Sequence, residues 1–100
     1  MVLYNVTIKI NHDAEQEWLQ WMKNEHIPEL MSTGLFVDSK LFRLLDVDDA
    51  EGVTYAAQYF CKNMEDYKSY ISAYSAAMRA KGIEKFGDRF VAFRTIMEQV

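Results

Sequence analysis

Two histidines, one cysteine and a few strand arginines are the residues of this 100-residue chain whose chemistry could make a site. His26 falls on the apolar stripe of a helical stretch, Trp18, Leu19, Trp21, Met22, His26 and Leu30. A neutral imidazole there can accept a proton near neutral pH, which makes His26 the candidate catalytic base. The same position suits a structural histidine bonded to a backbone carbonyl beside Pro28, and one titratable group is not a catalytic set. Arg43 and Arg94 fall inside strands, where a buried guanidinium needs a carboxylate, a carbonyl or a ligand anion. They read either as a clamp for a small acid or as ion-pair partners of Glu25, Glu29, Asp38 or Glu98 at a dimer interface. Asn5 and Gln58 carry amides that can orient a ligand carbonyl or satisfy each other. Asn5, Arg43, Gln58 and Arg94 are therefore the candidate ligand-binding residues.

The remaining polar residues exclude more than they suggest. His12 lies in a polar turn and reads as solvated. Cys61 has no close basic neighbour and reads as a small core residue of a strand. Being single, it forms no internal disulfide, which fits a reducing compartment. The acidic run Asp46-Val47-Asp48-Asp49-Ala50-Glu51 lacks Ca²⁺-loop spacing, and with Glu65 and Asp66 it reads as solvated turn and cap. No metal site is expected. There is no Gly-rich phosphate loop, no Cys/His ligand spacing and no serine nucleophile elbow. Eleven basic residues against fifteen acidic ones, for a net charge of −4, leave no basic stripe for nucleic acid. No apolar run approaches the ~20 residues that span a bilayer, and Met1-Val2-Leu3-Tyr4 leads into a strand pattern rather than a charged leader. A cytoplasmic protein of one domain, residues 1–100, is expected.

Hydrophobic periodicity supplies the elements that must hold these residues. Val2, Tyr4, Val6, Ile8 and Ile10 alternate with Leu3, Asn5, Thr7, Lys9 and Asn11, the pattern of a half-buried strand. A helix starts near Asp13, kinks or restarts at Pro28 and stops at Gly34. Phe36 to Asp46 and Val53 to Lys62 form a hairpin across the acidic turn, the register of the first being undefined because both its faces are apolar. Asn63 caps a second helix, with Met64, Tyr67, Ile71, Tyr74 and Met78 inward and Gly82 at its end. A further turn at Ile83 to Phe86 precedes a last strand, Phe90 to Gln99. The expected core joins Trp18, Met22, Tyr67, Ile71 and Tyr74 to Val6, Ile8 and Tyr59.

The order βαββαβ predicts an α+β fold, a four-stranded antiparallel sheet with two helices on one face. The other face is bare. If Gln58 and Arg94 point the same way, it carries Leu3, Ala56, Phe60, Ala92 and Ile96, half apolar, and a second copy of the chain is its simplest cover.

The segment Trp18-Leu-Gln-Trp-Met-Lys-Asn-Glu-His26-Ile-Pro28-Glu-Leu resembles the aromatic-rich helix ending in His-x-Pro of EthD/NIPSNAP-like members of the dimeric α/β-barrel superfamily. With Tyr4-Asn-Val-Thr7, Thr33-Gly-Leu-Phe36, Gly52-Val-Thr-Tyr-Ala-Ala-Gln-Tyr59 and Arg89-Phe-Val-Ala-Phe-Arg-Thr95, the whole chain is similar to a short bacterial family of unknown function with this fold. The resemblance implies ferredoxin-like sheets packed face to face in a homodimer. It carries no assigned activity, because the superfamily's monooxygenases, haem-degrading enzymes, isomerases and stress proteins share a fold and not a reaction. Haem-degrading relatives take a histidine from the second helix, and residues 63–86 contain none, so haem is not expected. No cofactor is expected. Three functions follow as expectations: a homodimer binding a small, partly apolar molecule; a cofactor-independent monooxygenase or isomerase with His26 as base and Arg94 or Asn5 holding an oxygen; or a structural or partner-binding dimer.

Overall fold

The computed structural model describes residues 1–100, and its centre is a pair of long antiparallel strands. β1 (Val2–Ile10) lies between β3 (Val53–Cys61) and β4 (Phe90–Glu98), and β2 (Asp38–Arg43) flanks β3. The sheet order is β2-β3-β1-β4, every neighbour antiparallel. Burial follows the two-residue period of β3: Val53, Tyr55, Ala57, Tyr59 and Cys61 are buried and the residues between them half-buried. In β1 the expected side, Val2, Tyr4, Ile8 and Ile10, is the buried one, with Val6 packed against it. Both helical arms cover this face, so the fold is the expected ferredoxin-like α+β arrangement.

β2 is shorter than the predicted strand. Phe36 leaves the sheet and is buried among Tyr4, Tyr59 and Tyr70, with ring centroids 6.3, 5.4 and 5.0 Å away. At the other end the backbone of Asp46 enters the left-handed region at φ 58°, which breaks the extended run. Pairing with β3 settles the register: Ser39, Leu41 and Arg43 share the helix side with Tyr59, Ala57 and Tyr55, while Asp38, Lys40 and Phe42 lie on the bare side.

The first helical arm runs through Pro28 without a break. A short 3₁₀ turn (His12–Ala14) leads into α1 (Glu15–Trp21), then a π-helical turn (Met22–His26), then α2 (Ile27–Ser32). The cause is legible in the spacing. Trp18, Met22, His26 and Leu30 recur every four residues, so each step overshoots a 3.6-residue turn by ~40°. Widening one turn absorbs that drift and keeps His26 and Leu30, rather than Glu25 and Glu29, toward the sheet. Pro28 falls in the first turn after the wide one, where its missing N–H is tolerated.

The second arm repeats the device: α3 (Met64–Tyr70), a π turn (Ile71–Ser75) and α4 (Ala76–Phe86). Asn63 caps it as expected, its side-chain oxygen accepting from the Asp66 N–H at 2.9 Å. The inward stripe differs from the prediction. Tyr70, Ser75, Met78, Gly82 and Phe86 are buried, Tyr67 and Ile71 only partly so, and Tyr74 is 38 % exposed. Gly82 does not end the helix. It lies inside α4, and the chain turns instead at Gly87, φ 61°.

β4 also requires a correction. Arg94 pairs with Val6, Ala92 with Ile8 and Ile96 with Tyr4, which puts all three on the helix side, away from Gln58. The bare side of β4 is Val91, Phe93, Thr95 and Met97. Apolar residues fill both faces of this edge strand, so its sequence carries no alternation that marks the inner side.

Candidate functional site

Between the helical arms and the sheet lies a cavity of about 70 Å³, floored by β1 and β3 and rimmed by the first π turn, α4 and β4. Fourteen of its eighteen lining residues are hydrophobic, so its polar members stand out. They are His26, Arg79 and Arg94, joined by the hydroxyls of three tyrosines counted among the fourteen, Tyr4, Tyr59 and Tyr70. Of the residues singled out from sequence, His26 and Arg94 meet at this cavity and the other three do not.

His26 is held there by the π turn. It lies five positions after Trp21, the spacing of a π turn, and the two rings stack at 4.4 Å between centroids, 20° from parallel. Its Nδ1 is buried without a hydrogen-bond partner. Burial lowers its pKa to about 4; Glu29 raises it somewhat, and Lys81 and Arg94 oppose that. The ring is therefore neutral at pH 7. Glu29 and Lys81 form an ion pair that ties α2 to α4.

Arg94 approaches from the edge strand, and its Nε–H donates to the Tyr4 hydroxyl at 3.1 Å. Tyr4 is 3 % exposed. The Tyr59 hydroxyl is pushed well above its usual pKa by burial, then by Tyr70 and Tyr4, so the three phenols form one cluster. Burial also raises Tyr70, with Tyr4 adding to the rise and Arg94 and Arg79 opposing it. Both guanidiniums thus act on the same hydroxyl group.

The other candidates lie elsewhere. Asn5 and Gln58 face each other on the bare side, Gln58 Nε2 donating to Asn5 Oδ1 at 3.4 Å and Asn5 Nδ2 to Thr7 Oγ1 at 3.0 Å. Arg43 sits at the sheet edge beside Tyr55, whose hydroxyl donates to Glu15 Oε2 at 2.5 Å. Burial and then Glu15 push Tyr55 up to about 12, with Arg43 pulling the other way. Cys61 is fully buried, its thiol pushed up to about 11 by burial and then Asp66. His12 Nε2 donates to the Asp49 carbonyl at 2.7 Å, pinning the acidic loop. No group of three or more His, Cys, Asp or Glu residues could hold a metal ion, and no helix is long and apolar enough to cross a membrane.

Sequence reading missed Tyr4, Tyr59, Tyr70 and Arg79. Tyr4 and Tyr59 were visible as inward strand positions but read as core. A cluster of hydroxyls on one buried face was the available signal.

Solved structures share this fold at low identity. An EthD-family protein from Bacillus halodurans superimposes with a TM-score of 0.67 at 13% identity, covering 100% of both chains. SnoaB, a cofactor-independent oxygenase from Streptomyces nogalater, gives 0.70 at 13% identity, over 98% of this chain and 92% of its own. A dimeric ferredoxin-like protein from an uncultured marine organism gives 0.67 at 12%, over 100% of this chain and 95% of its own. No curated protein matches the sequence. The model of a family of unknown function, DUF4286, matches residues 1–100, and the chain belongs to that family.

Proposed function

We propose that the chain is a homodimer, paired through its bare sheet faces, that binds a small, partly apolar molecule in the cavity between helices and sheet. One observation carries the ligand reading: a cavity lined by aromatic rings keeps a buried, unpartnered imidazole nitrogen, His26 Nδ1, and a buried phenol, Tyr4, at its wall. Buried polar atoms in native proteins are nearly always partnered, so one without a partner in a cavity wall marks a contact for a guest. At about 70 Å³ the cavity has roughly half the ~150 Å³ of one that holds benzene, so the guest is small or part of it protrudes. The test follows the Trp18 and Trp21 indole N–H signals by NMR while a panel of small aromatic and branched aliphatic compounds is titrated. Saturable shifts at both indoles support the reading. A panel that leaves both unmoved overturns it.

The unpartnered Nδ1 also favours a second reading, a cofactor-independent monooxygenase or isomerase in which His26 takes a proton from an enolisable substrate. A neutral ring can accept that proton at pH 7, but with a pKa near 4 it is a weak base until a bound anion raises it. His26→Asn should then abolish turnover with little change in melting temperature. Loss of stability alone would assign His26 to packing.

A further inference from the structure

We infer that the guest of this cavity is an organic carboxylate with a compact apolar body, its head held at the rim by Arg94 and Arg79. This rests on the cavity being a ligand site and adds the chemistry of what enters it. No aspartate or glutamate lines the cavity, while two arginines do. The one ion pair of the chain engages neither of them, since it joins Lys81 to Glu29. Both guanidiniums are exposed at the rim, whereas the phenols beneath them are buried. Arg94 is oriented by donating through Nε to Tyr4, and its terminal amino groups make no other hydrogen bond. A planar guanidinium held at one edge presents a two-pronged donor that matches a carboxylate. The Tyr4 oxygen accepts from Arg94, which leaves its own proton to donate toward the same anion. Below the rim, Met22, Phe86 and the ring faces of Trp18 and Trp21 offer mostly apolar surface around His26. Charge above and hydrocarbon below fit one amphipathic anion and fit poorly either a cation or a wholly polar acid.

The experiment compares isobutyrate with isobutanol and benzoate with benzyl alcohol, each pair alike in body and different in charge, by the Trp18 and Trp21 indole shifts at pH 7. The acids should bind at least about tenfold more tightly than the alcohols, and less tightly as salt is raised. Arg94→Gln should erase the difference while Arg43→Gln, away from the cavity, keeps it. Arg94→Lys, which retains charge without the fork, should fall between. Alcohols binding as well as acids, with no dependence on salt, would overturn the carboxylate assignment and leave the cavity reading standing. No shift from any of the four probes would overturn both. The salt titration uses the unaltered protein, so the test survives an Arg94 variant that does not fold.

Discussion

His26 stacks on Trp21 and faces Glu29, Lys81, Arg94 and the cavity, and this crowding has a consequence that titration can read. Its pKa falls from 6.5 to about 4 on folding. Above pH 6.5 neither state carries the proton and the group leaves stability unchanged. Between 6.5 and 4 the unfolded chain binds a proton that the native state refuses, so stability declines as pH falls, and below 4 the decline ends. The loss should amount to about 2 kcal/mol once partial exposure is allowed for. Denaturation of wild type and His26→Gln across pH 4–7 isolates it: the wild type should lose that much more than the variant. Parallel curves would show that His26 is solvated. Gly82 gives a second prediction at this scale. A Cβ there would lie 3.6 Å from the Trp21 ring and 3.9 Å from Phe90, ordinary contacts, in mid-helix where glycine costs about 0.5–1 kcal/mol relative to alanine. Gly82→Ala should therefore raise the melting temperature while narrowing the cavity it lines. Gly52→Ala is the opposite case, because its Cβ would come within 2.5 Å of the Ile10 carbonyl oxygen and destabilise the entry to β3.

The helical arms show how far pattern alone carries and where it stops. The order of elements along the chain, the buried side of β1, the Asn63 cap and the His26 stripe were all legible, since each depends on neighbours in sequence. The inward stripe of the second arm was not. Tyr67, Ile71, Tyr74 and Met78 fit a regular α-helix, but the π turn at Ile71–Ser75 inserts one residue and moves the buried position from Tyr74 to Ser75. The faces of β2 and β4 were hidden for a related reason: edge strands apolar on both sides carry no alternation, and only pairing with β1 and β3 decides them. The chemistry of Arg94 marks it as a candidate from sequence, whereas its place on the helix side follows only from its pairing with Val6. The π turn predicts an asymmetry between two tyrosines four residues apart. Tyr70, 2 % exposed and packed on Tyr4 and Phe36, should cost about 3–5 kcal/mol when cut to Ala. Tyr74→Ala should cost under about 1 kcal/mol. Urea midpoints for the two variants decide the matter, and equal losses would mean that the second arm is a continuous α-helix facing as the sequence pattern suggests.

At the scale of the molecule, one sheet layer with both helical arms on the same side leaves the other side to water, and this side is not built for water. Phe42, Phe93 and Val91 are 50, 63 and 67 % exposed there, flanking the Asn5–Gln58 amide pair at the middle of the sheet. Near one end, Leu3, Phe60 and Met97 surround a hollow of about 360 Å³. Apolar groups spread over a whole sheet face, with a small polar cluster at its centre, suit burial against a like surface, because amides can pair across a two-fold axis while the rings exclude water around them. A stable interface of this kind needs roughly 1,200 Å² or more, an area a four-stranded face can supply and a loop patch cannot. The proposed dimer therefore depends on the bare side of β4, where Phe93 exposes a whole aromatic ring. Phe93→Glu places a charge on that surface without touching the helix side, so the single chain should still fold while pairing fails. Sedimentation at micromolar concentration should give twice the 11.7 kDa chain mass for the wild type and that mass alone for the variant, with far-UV circular dichroism unchanged. Thr54→Glu, on the same face but at the end of β3, should weaken pairing less. A wild-type chain that sediments as a monomer throughout that range would overturn face-to-face pairing and leave the exposed phenylalanines to some other partner.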